Sequence, residues 1–466
     1  MAASLPTSEL KEQLRAMFVG KTLNEVPTPS VVLDLAKLEV NCERMLEATG
    51  RLGLLWRAHI KSHKTTELTR LQVGDTLTTP VSLIVSTVTE AENIVPLLQE
   101  YQSRGRPVNV LFSFPLFPTA VPRLTTFTST LGRDSLTLMI DHPSQLTALA
   151  PIAATTTHPP LVFLKIDTSY GRAGVPPNTP ACAALIDAVL DAEARGLCTL
   201  HGVYAHAGHS YGAREGVEDV LGYLAGEFRG LADVARQIQG KGGRDRGRGL
   251  VLSVGATPTA TVVQQRGVFS QGGGEVERLV GELRGEGFVL EVHAGVYPTL
   301  DMQQLATHAR DASLMTADDV AISVLAEVAS IYPGRGANGT TEALINAGSL
   351  ALGREPVADK GKVPGQDYAG WGFLMPWGLD NPVPGPDFPR VHDGWKVGRI
   401  SQEHGILTWQ GKKEDEVPLE YGQRVRVWPN HSCIAGSGFN WYLIVDSRNK
   451  GREDEVVDVW PRWRGW

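Results

Sequence analysis

Arg57-Ala-His-Ile-Lys-Ser-His-Lys64 closes a short apolar run and packs one arginine, two lysines and two histidines into eight residues. So cationic a stretch is expected outside the core, because charged side chains are seldom buried without partners. Its position matters more than its charge. It stands at the end of a predicted strand in an alternating strand/helix pattern, where α/β folds carry their catalytic groups.

Working outward, the same rhythm recurs. Apolar or β-branched runs occur at Ser30-Val-Val-Leu-Asp34, Leu83–Thr87, Val108–Phe112, Leu136–Ile140, Leu161–Ile166, Gly202–Ala205, Leu250–Val254 and Phe288–Val292, with a further one just before Lys61. Helix-length segments separate them, among them 37–52, 88–102, 143–153, 180–196 and 215–239. Continuously apolar strands alternating with helices predict a parallel sheet covered on both faces, and eight or nine such units favour a closed barrel over an open sheet. No strand runs into G-x-G-x-x-G, which disfavours a dinucleotide fold.

Residues 8–19 carry apolar positions at helical spacing, ahead of the first strand. After about residue 320 the rhythm changes to short strand-like runs (Ala321–Ile331, Gly405–Trp409, Arg424–Trp428, Trp441–Val445) between turn-forming clusters. The expected fold class is therefore α/β: a (β/α)8 TIM-type barrel over 28–320, a C-terminal mainly-β domain over 321–466, and an N-terminal segment, 1–27, packing with that β domain.

The 466 residues are 42% hydrophobic and 20% charged, with a net charge of -7, which gives no support to nucleic-acid or membrane-surface binding. The four cysteines lack the dense spacing of a disulfide scaffold, and the sequence shows neither a signal-peptide pattern nor a long apolar span. A reducing, cytoplasmic setting is expected.

Besides the opening stretch, polar and glycine-rich clusters at predicted strand ends are Asp167–Gly174, Tyr204–Tyr211, Ser253–Thr259 and Glu291–Tyr297. Parallel barrel strands end on one face, so the clusters are expected to converge on one mouth. Gly255-Ala-Thr-Pro-Thr259 and Gly295-Val296 offer backbone N–H groups and a hydroxyl suited to a phosphate. A lysine opposite a phosphate site suggests pyridoxal 5'-phosphate (PLP), whose aldehyde needs an amine. Gly240–Gly249 and Gly272–Gly274 read as surface loops, since no G-K-[ST] follows.

In the β region, His431 and Cys433 stand at i and i+2 in Pro429-Asn-His-Ser-Cys433. On an extended strand the two side chains would share a face and could grip one borderline cation such as zinc; the alternative is a buried cysteine beside a turn histidine.

These motifs together resemble the eukaryotic D-serine dehydratases, in the alanine-racemase-like, fold-type III group of PLP enzymes that includes the D-threonine aldolases. The resemblance runs from about Thr28-Pro-Ser30 to Val445-Asp446 and rests on Arg57–Lys64, Asp167–Gly174, Tyr204-Ala-His206 with Tyr211, Gly255–Thr259, Gly295-Val-Tyr297, Glu403-His404-Gly405 and Pro429–Cys433. It implies that Lys61 is the catalytic lysine bonded to PLP, that Tyr204 and Tyr211 contact the cofactor, and that Thr257, Gly295 and Val296 bind its phosphate. Arg172 is similar to the arginine facing the pyridine nitrogen in related aldolases, and His431 with Cys433 to the Zn2+ ligands. Implied too are a homodimer and the β-elimination of D-serine to pyruvate and ammonia. A D-threonine aldolase, a D-3-hydroxyaspartate-type dehydratase and a non-catalytic PLP-binding protein remain as alternatives.

Overall fold

The computed structural model describes residues 7–156, 158–213, 216–242, 249–269, 274–357, 370–380, 384–385, 387–389 and 391–466. The chain forms two compact units, one of residues 1–42 and 296–462, the other of residues 43–295 and 463–466. The first strand, β1 (Ser30–Asp34), belongs to the former unit and the next eight to the latter.

These eight are β2 (Leu55–His59), β3 (Val81–Val85), β4 (Val108–Pro115), β5 (Leu136–Ile140), β6 (Leu161–Lys165), β7 (Thr199–Tyr204), β8 (Val251–Val254) and β9 (Val289–Ala294). Each pairs in parallel with the next, and β9 returns to β2 with Arg57 opposite His293, closing the barrel. Most of the strands are buried along their length, as the continuous apolar runs require when helices cover the outside. Inward residues alternate with outward ones, so Ile84, Leu111, Met139, Phe163, Tyr204 and Val251 form one interior cluster.

Two loop devices matter for the site. Gly255, straight after β8, has φ +150°, and a Cβ there would lie 2.1 Å from the His293 carbonyl oxygen. Helix Thr66–Val73 starts on Thr65, whose hydroxyl accepts the Leu68 N–H. Lys64, just before that cap, is in the left-handed region with φ 53°.

The other unit contains β10 (Ile322–Tyr332), β11 (Glu342–Ile345), β12 (Gly372–Leu374), β13 (Trp395–Ile400), β14 (Gly405–Trp409), β15 (Arg424–Pro429), β16 (Trp441–Val445) and β17 (Asp458–Pro461). Antiparallel pairings run β10–β11–β14–β13–β12–β15 and back to β10, a closed six-stranded ring. Val324, Ala326, Val328, Trp395, Val397, Leu407, Val425 and Val427 fill it. On its opposite face β10 turns Leu325 toward β1, β16 and helix Thr7–Phe18, where Leu14, Phe18, Val32, Leu443 and Val459 pack together.

Two strand-level expectations change. Ser30–Asp34 is not a barrel strand: it pairs antiparallel with β10 and parallel with β16. Buried at four of its five positions, it is as apolar as a barrel strand, so composition alone cannot separate the two. The Arg57–Lys64 stretch is not wholly outside the core either, because Arg57 is 2% exposed and His63 1%. Most of Gly240–Gly249 and of Gly272–Gly274 lies outside the described residues. Among the described residues, no helix is long and apolar enough to cross a membrane.

Candidate active site

The barrel interior is polar below its mouth. Arg57 donates from Nε to Glu291 at 2.7 Å and from Nη1 to Asn109 at 2.6 Å, while its guanidinium lies 5.7 Å from the centre of the Phe163 ring. Ser253 Oγ donates to the same Glu291 oxygen at 2.6 Å and contacts His293 Nδ1 at 3.0 Å. Both Arg57 and Glu291 are fully buried, so each charge depends on the other.

Above this network stand the groups at the strand ends. Lys61 follows β2 and is half-buried. His293 stacks on Tyr204 with ring centres 4.2 Å apart, and His206 lies 6.3 Å beyond, also stacked. Lys165, the last residue of β6, places its ammonium 4.6 Å over the Tyr204 ring. Exposed Arg172 sits against Tyr170 at 5.0 Å.

This crowding of positive charge has a direct electrostatic result. Burial first, then the neighbouring cations, push three imidazoles well below their usual range: His59 feels Lys61 and Arg172, His206 feels Lys165, Arg172 and Lys61, and His293 feels Lys165, Arg57 and Lys61. Burial and Arg172 likewise lower Lys165 to about 7, against the opposing pull of Glu227, Asp167 and Asp141. The mouth thus holds neutral imidazoles among lysines and arginines, an arrangement suited to anionic ligands and to proton transfer near neutral pH.

The loop after β8 is tied from below. Glu227, in helix Val217–Gly240, accepts the Ala207 N–H at 2.8 Å, the Gly255 N–H at 3.1 Å and the Thr259 hydroxyl at 2.9 Å. Burial raises its carboxyl to about 7 despite those donors. His206 donates from Nδ1 to the Gly255 carbonyl at 2.6 Å, leaving Nε2 as an acceptor.

Of the residues expected from sequence, Lys61 and Arg172 act on the same imidazoles, His59 and His206, and Arg172 also acts on Tyr204, so the three share one mouth. Thr257 opens the short helix Thr257–Thr261, and Gly295 follows β9, where a Cβ would lie 3.2 Å from the Cβ and the carbonyl oxygen of His59. Tyr211 is half-buried in the turn Gly208–Gly212 after β7. Val296 is buried and begins the segment that belongs to the other unit. His63 does not face this chemistry. It accepts the Thr65 N–H at 3.1 Å and contacts Gln72 at 2.9 Å, bracing helix Thr66–Val73.

His431 and Cys433 do not lie on a strand. β15 ends at Pro429, His431 caps helix Ser432–Ser437, and Cys433 is in its first turn. The helical turn still brings the two side chains into hydrogen-bond contact. Burial alone would lower His431, but Cys433, then Asp301 and Glu355, outweigh it and raise the imidazole to about 9. Asp301 accepts the Ser432 N–H at 2.8 Å, which fixes the turn. The buried His431 Nδ1 has no hydrogen-bond partner. Among the described residues no group of three or more His, Cys, Asp or Glu side chains assembles for a metal.

Comparison with known proteins places this geometry. The family model "Alanine racemase, N-terminal domain" matches residues 33–266, and "Putative serine dehydratase domain" matches 321–445. D-serine dehydratase of Schizosaccharomyces pombe is 37% identical over 461 residues, 98% of this chain and 96% of the relative. The chain belongs to the D-serine dehydratase family. A D-serine dehydratase from Saccharomyces cerevisiae is 29% identical, covering 97% of this chain and 99% of the relative. The solved D-threo-3-hydroxyaspartate dehydratase from Delftia sp. HT23 superposes with a TM-score of 0.72 at 25% identity, over 96% of this chain and all of that one. That dehydratase has also been solved as a cysteine-to-alanine mutant in a metal-free form. Membership makes this chain an enzyme of the lyase type on an alanine-racemase-like fold, and that fold implies PLP.

Sequence reasoning gave no role to Lys165, Glu227, Ser253 or His293. A lysine ending an otherwise apolar strand was a readable signal for Lys165. Glu227, inside a long helix of mixed composition, carries none.

Proposed function

We propose that this member of the D-serine dehydratase family uses PLP and zinc to convert D-serine into pyruvate and ammonia, as a homodimer. The observation that carries the reading is the barrel mouth, where Lys61 stands half-buried among imidazoles kept neutral and within the field of Arg172 and Lys165.

The residues fit the cofactor. Gly255 and Gly295 leave no room for a side chain where backbone must approach closely, and buried His293 Nε2 has no hydrogen-bond partner. Lys61 would bond the cofactor aldehyde, Thr257, Gly295 and Val296 would hold the phosphate, and Tyr204, Tyr211 and Arg172 would contact the ring. PLP, when bound, supplies an electron sink for the charge that develops at Cα. Lys61 Nζ takes the Cα proton, and the surrounding cations hold the substrate carboxylate. Burial keeps the Tyr204 hydroxyl protonated, its pKa pushed up, so it acts as a neutral contact.

His431 and Cys433 would hold zinc, and two protein ligands cannot close its coordination, which leaves it open for catalysis. The orphaned His431 Nδ1 and the adjacent thiol are the donor types zinc takes. Zinc there would supply Lewis acidity toward the β-hydroxyl.

Release of ammonia and of the matching 2-oxo acid (pyruvate from D-serine or L-serine, 2-oxobutanoate from D-threonine, oxaloacetate from D-threo-3-hydroxyaspartate) tests the proposal, alongside Lys61→Ala. D-serine should be turned over, and Lys61→Ala should lose both turnover and the absorbance of bound PLP. Turnover of D-threo-3-hydroxyaspartate without D-serine would make this chain a hydroxyaspartate dehydratase; acetaldehyde from D-threonine would make it an aldolase.

A further inference from the structure

The hydrogen bonds beneath the mouth specify the position of a proton. Glu291 receives Arg57 Nε–H at 2.7 Å and the Ser253 hydroxyl at 2.6 Å on one oxygen. A serine has a single proton to give, and here the carboxylate takes it. The 3.0 Å contact between Ser253 Oγ and His293 Nδ1 therefore needs the proton of the imidazole. Since His293 is 2% exposed and amid Lys165, Arg57 and Lys61, the ring is neutral and carries only that one proton. The Gly255 carbonyl, which accepts His206 Nδ1–H at 2.6 Å, has a second lone pair and is also a hydrogen-bond partner of the His293 ring.

We propose that Glu291, acting through Ser253, locks His293 with its proton on Nδ1, so that the buried Nε2 presents a lone pair and accepts a hydrogen bond from an N–H or O–H group of the bound cofactor. His293 Nε2 is fully buried and has no hydrogen-bond partner, a state that costs free energy until a donor arrives. Tyr204, stacked on the imidazole at 4.2 Å, keeps the ring in plane for that contact. In a mouth lined by Lys61, Lys165 and Arg172, which are donors only, the neutral imidazoles are acceptors, and His59 already takes the Lys61 N–H on Nδ1 at 3.4 Å and contacts Ser86 through Nε2 at 3.3 Å. Ser253 and Glu291 are positioning residues, because they act through His293. The ligand half of this inference rests on the PLP reading above; the tautomer half does not.

Two measurements separate them. Nitrogen-15 NMR of the cofactor-free chain, with His293 assigned by loss of its signal in His293→Gln, should show Nδ1 protonated and Nε2 bare. Ser253→Ala should move the proton to Nε2. In a titration with PLP followed by tryptophan fluorescence, Ser253→Ala and His293→Phe should weaken binding about tenfold, the worth of one hydrogen bond to a buried acceptor. His293→Gln, whose amide oxygen can replace Nε2, should stay within about threefold. Protonated Nε2 in the wild type overturns the relay. Unchanged PLP affinity in a folded His293→Phe overturns the ligand contact; if that variant does not fold, unchanged affinity in Ser253→Ala does so. A wild-type chain with Nδ1 protonated that binds no PLP refutes the cofactor reading and the contact with it.

Discussion

Glu227 offers the sharpest test of how the loop after β8 is held. Its carboxyl is 1% exposed, accepts three donors and titrates near 7 instead of its ordinary 4.5. A carboxyl whose pKa is raised on folding is stabilising when protonated, so its contribution is full below pH 4.5 and is lost as pH rises through 7. The shift corresponds to roughly 3 kcal/mol, at 1.36 kcal/mol per unit. Glu227→Gln keeps the geometry: one oxygen still accepts Ala207 and Gly255, and the amide can donate to the Thr259 hydroxyl, which reverses its role. The glutamine does not ionise. Urea unfolding at pH 5 and pH 8 should therefore show the variant gaining on the wild type by about 2–3 kcal/mol between the two. Glu227→Ala should instead lose about 1–3 kcal/mol for each stranded donor at either pH. A Glu227→Gln difference that is the same at both pH values would refute the argument.

Four further outcomes follow from the same contacts. Gly255→Ala, forced to φ +150° with its Cβ 2.1 Å from the His293 carbonyl, should destabilise by about 3 kcal/mol or more in thermal melts and weaken PLP binding. Arg57→Met should cost about 3–5 kcal/mol in urea unfolding, because Glu291 is left buried without its cation. Lys61→Ala should abolish the PLP absorbance band and pyruvate formation together. Removing metal with a chelator should abolish pyruvate formation while PLP stays bound, and zinc should restore it; full activity in metal-free protein would end the role assigned to His431 and Cys433.

The barrel was legible because its strands obey one constraint. A parallel strand buried on both faces must be apolar throughout, and Leu136–Ile140 and Leu161–Lys165 are read at sight for that reason. The same rule misplaced Ser30–Asp34, whose apolar burial comes from a different sheet. In the β unit, β12 has three residues and β11 four, too short for an alternation to stand out from the turns around them. Helix Ser432–Ser437 was hidden for a related reason: Ser, Cys, Gly and Ser are weak helix formers, and tertiary anchoring through Asp301 sets the turn.

The site was legible where chemistry needs a residue type and opaque where it needs an environment. Lys61 and Gly255 announce themselves, since an amine and a side-chain-free backbone have few substitutes. The groups that set the protonation of the mouth do not. Lys165 is lowered because it is buried at the end of β6 and, secondarily, because Arg172 approaches from the next loop; Glu227 is raised because a helix seals it against the β7 and β8 loops. His293 belongs to the polar Glu291–Tyr297 cluster, yet its tautomer depends on Ser253 from the neighbouring strand and on Arg57 from the strand on the other side. Each of these states combines groups from separate strands, loops or helices, so it exists only once the barrel has closed. A Cβ at Gly255 meets the His293 carbonyl, and the Gly255 N–H is one of the donors to Glu227, so Gly255→Ala ought to disturb His293 and Glu227 as well as the loop it strains.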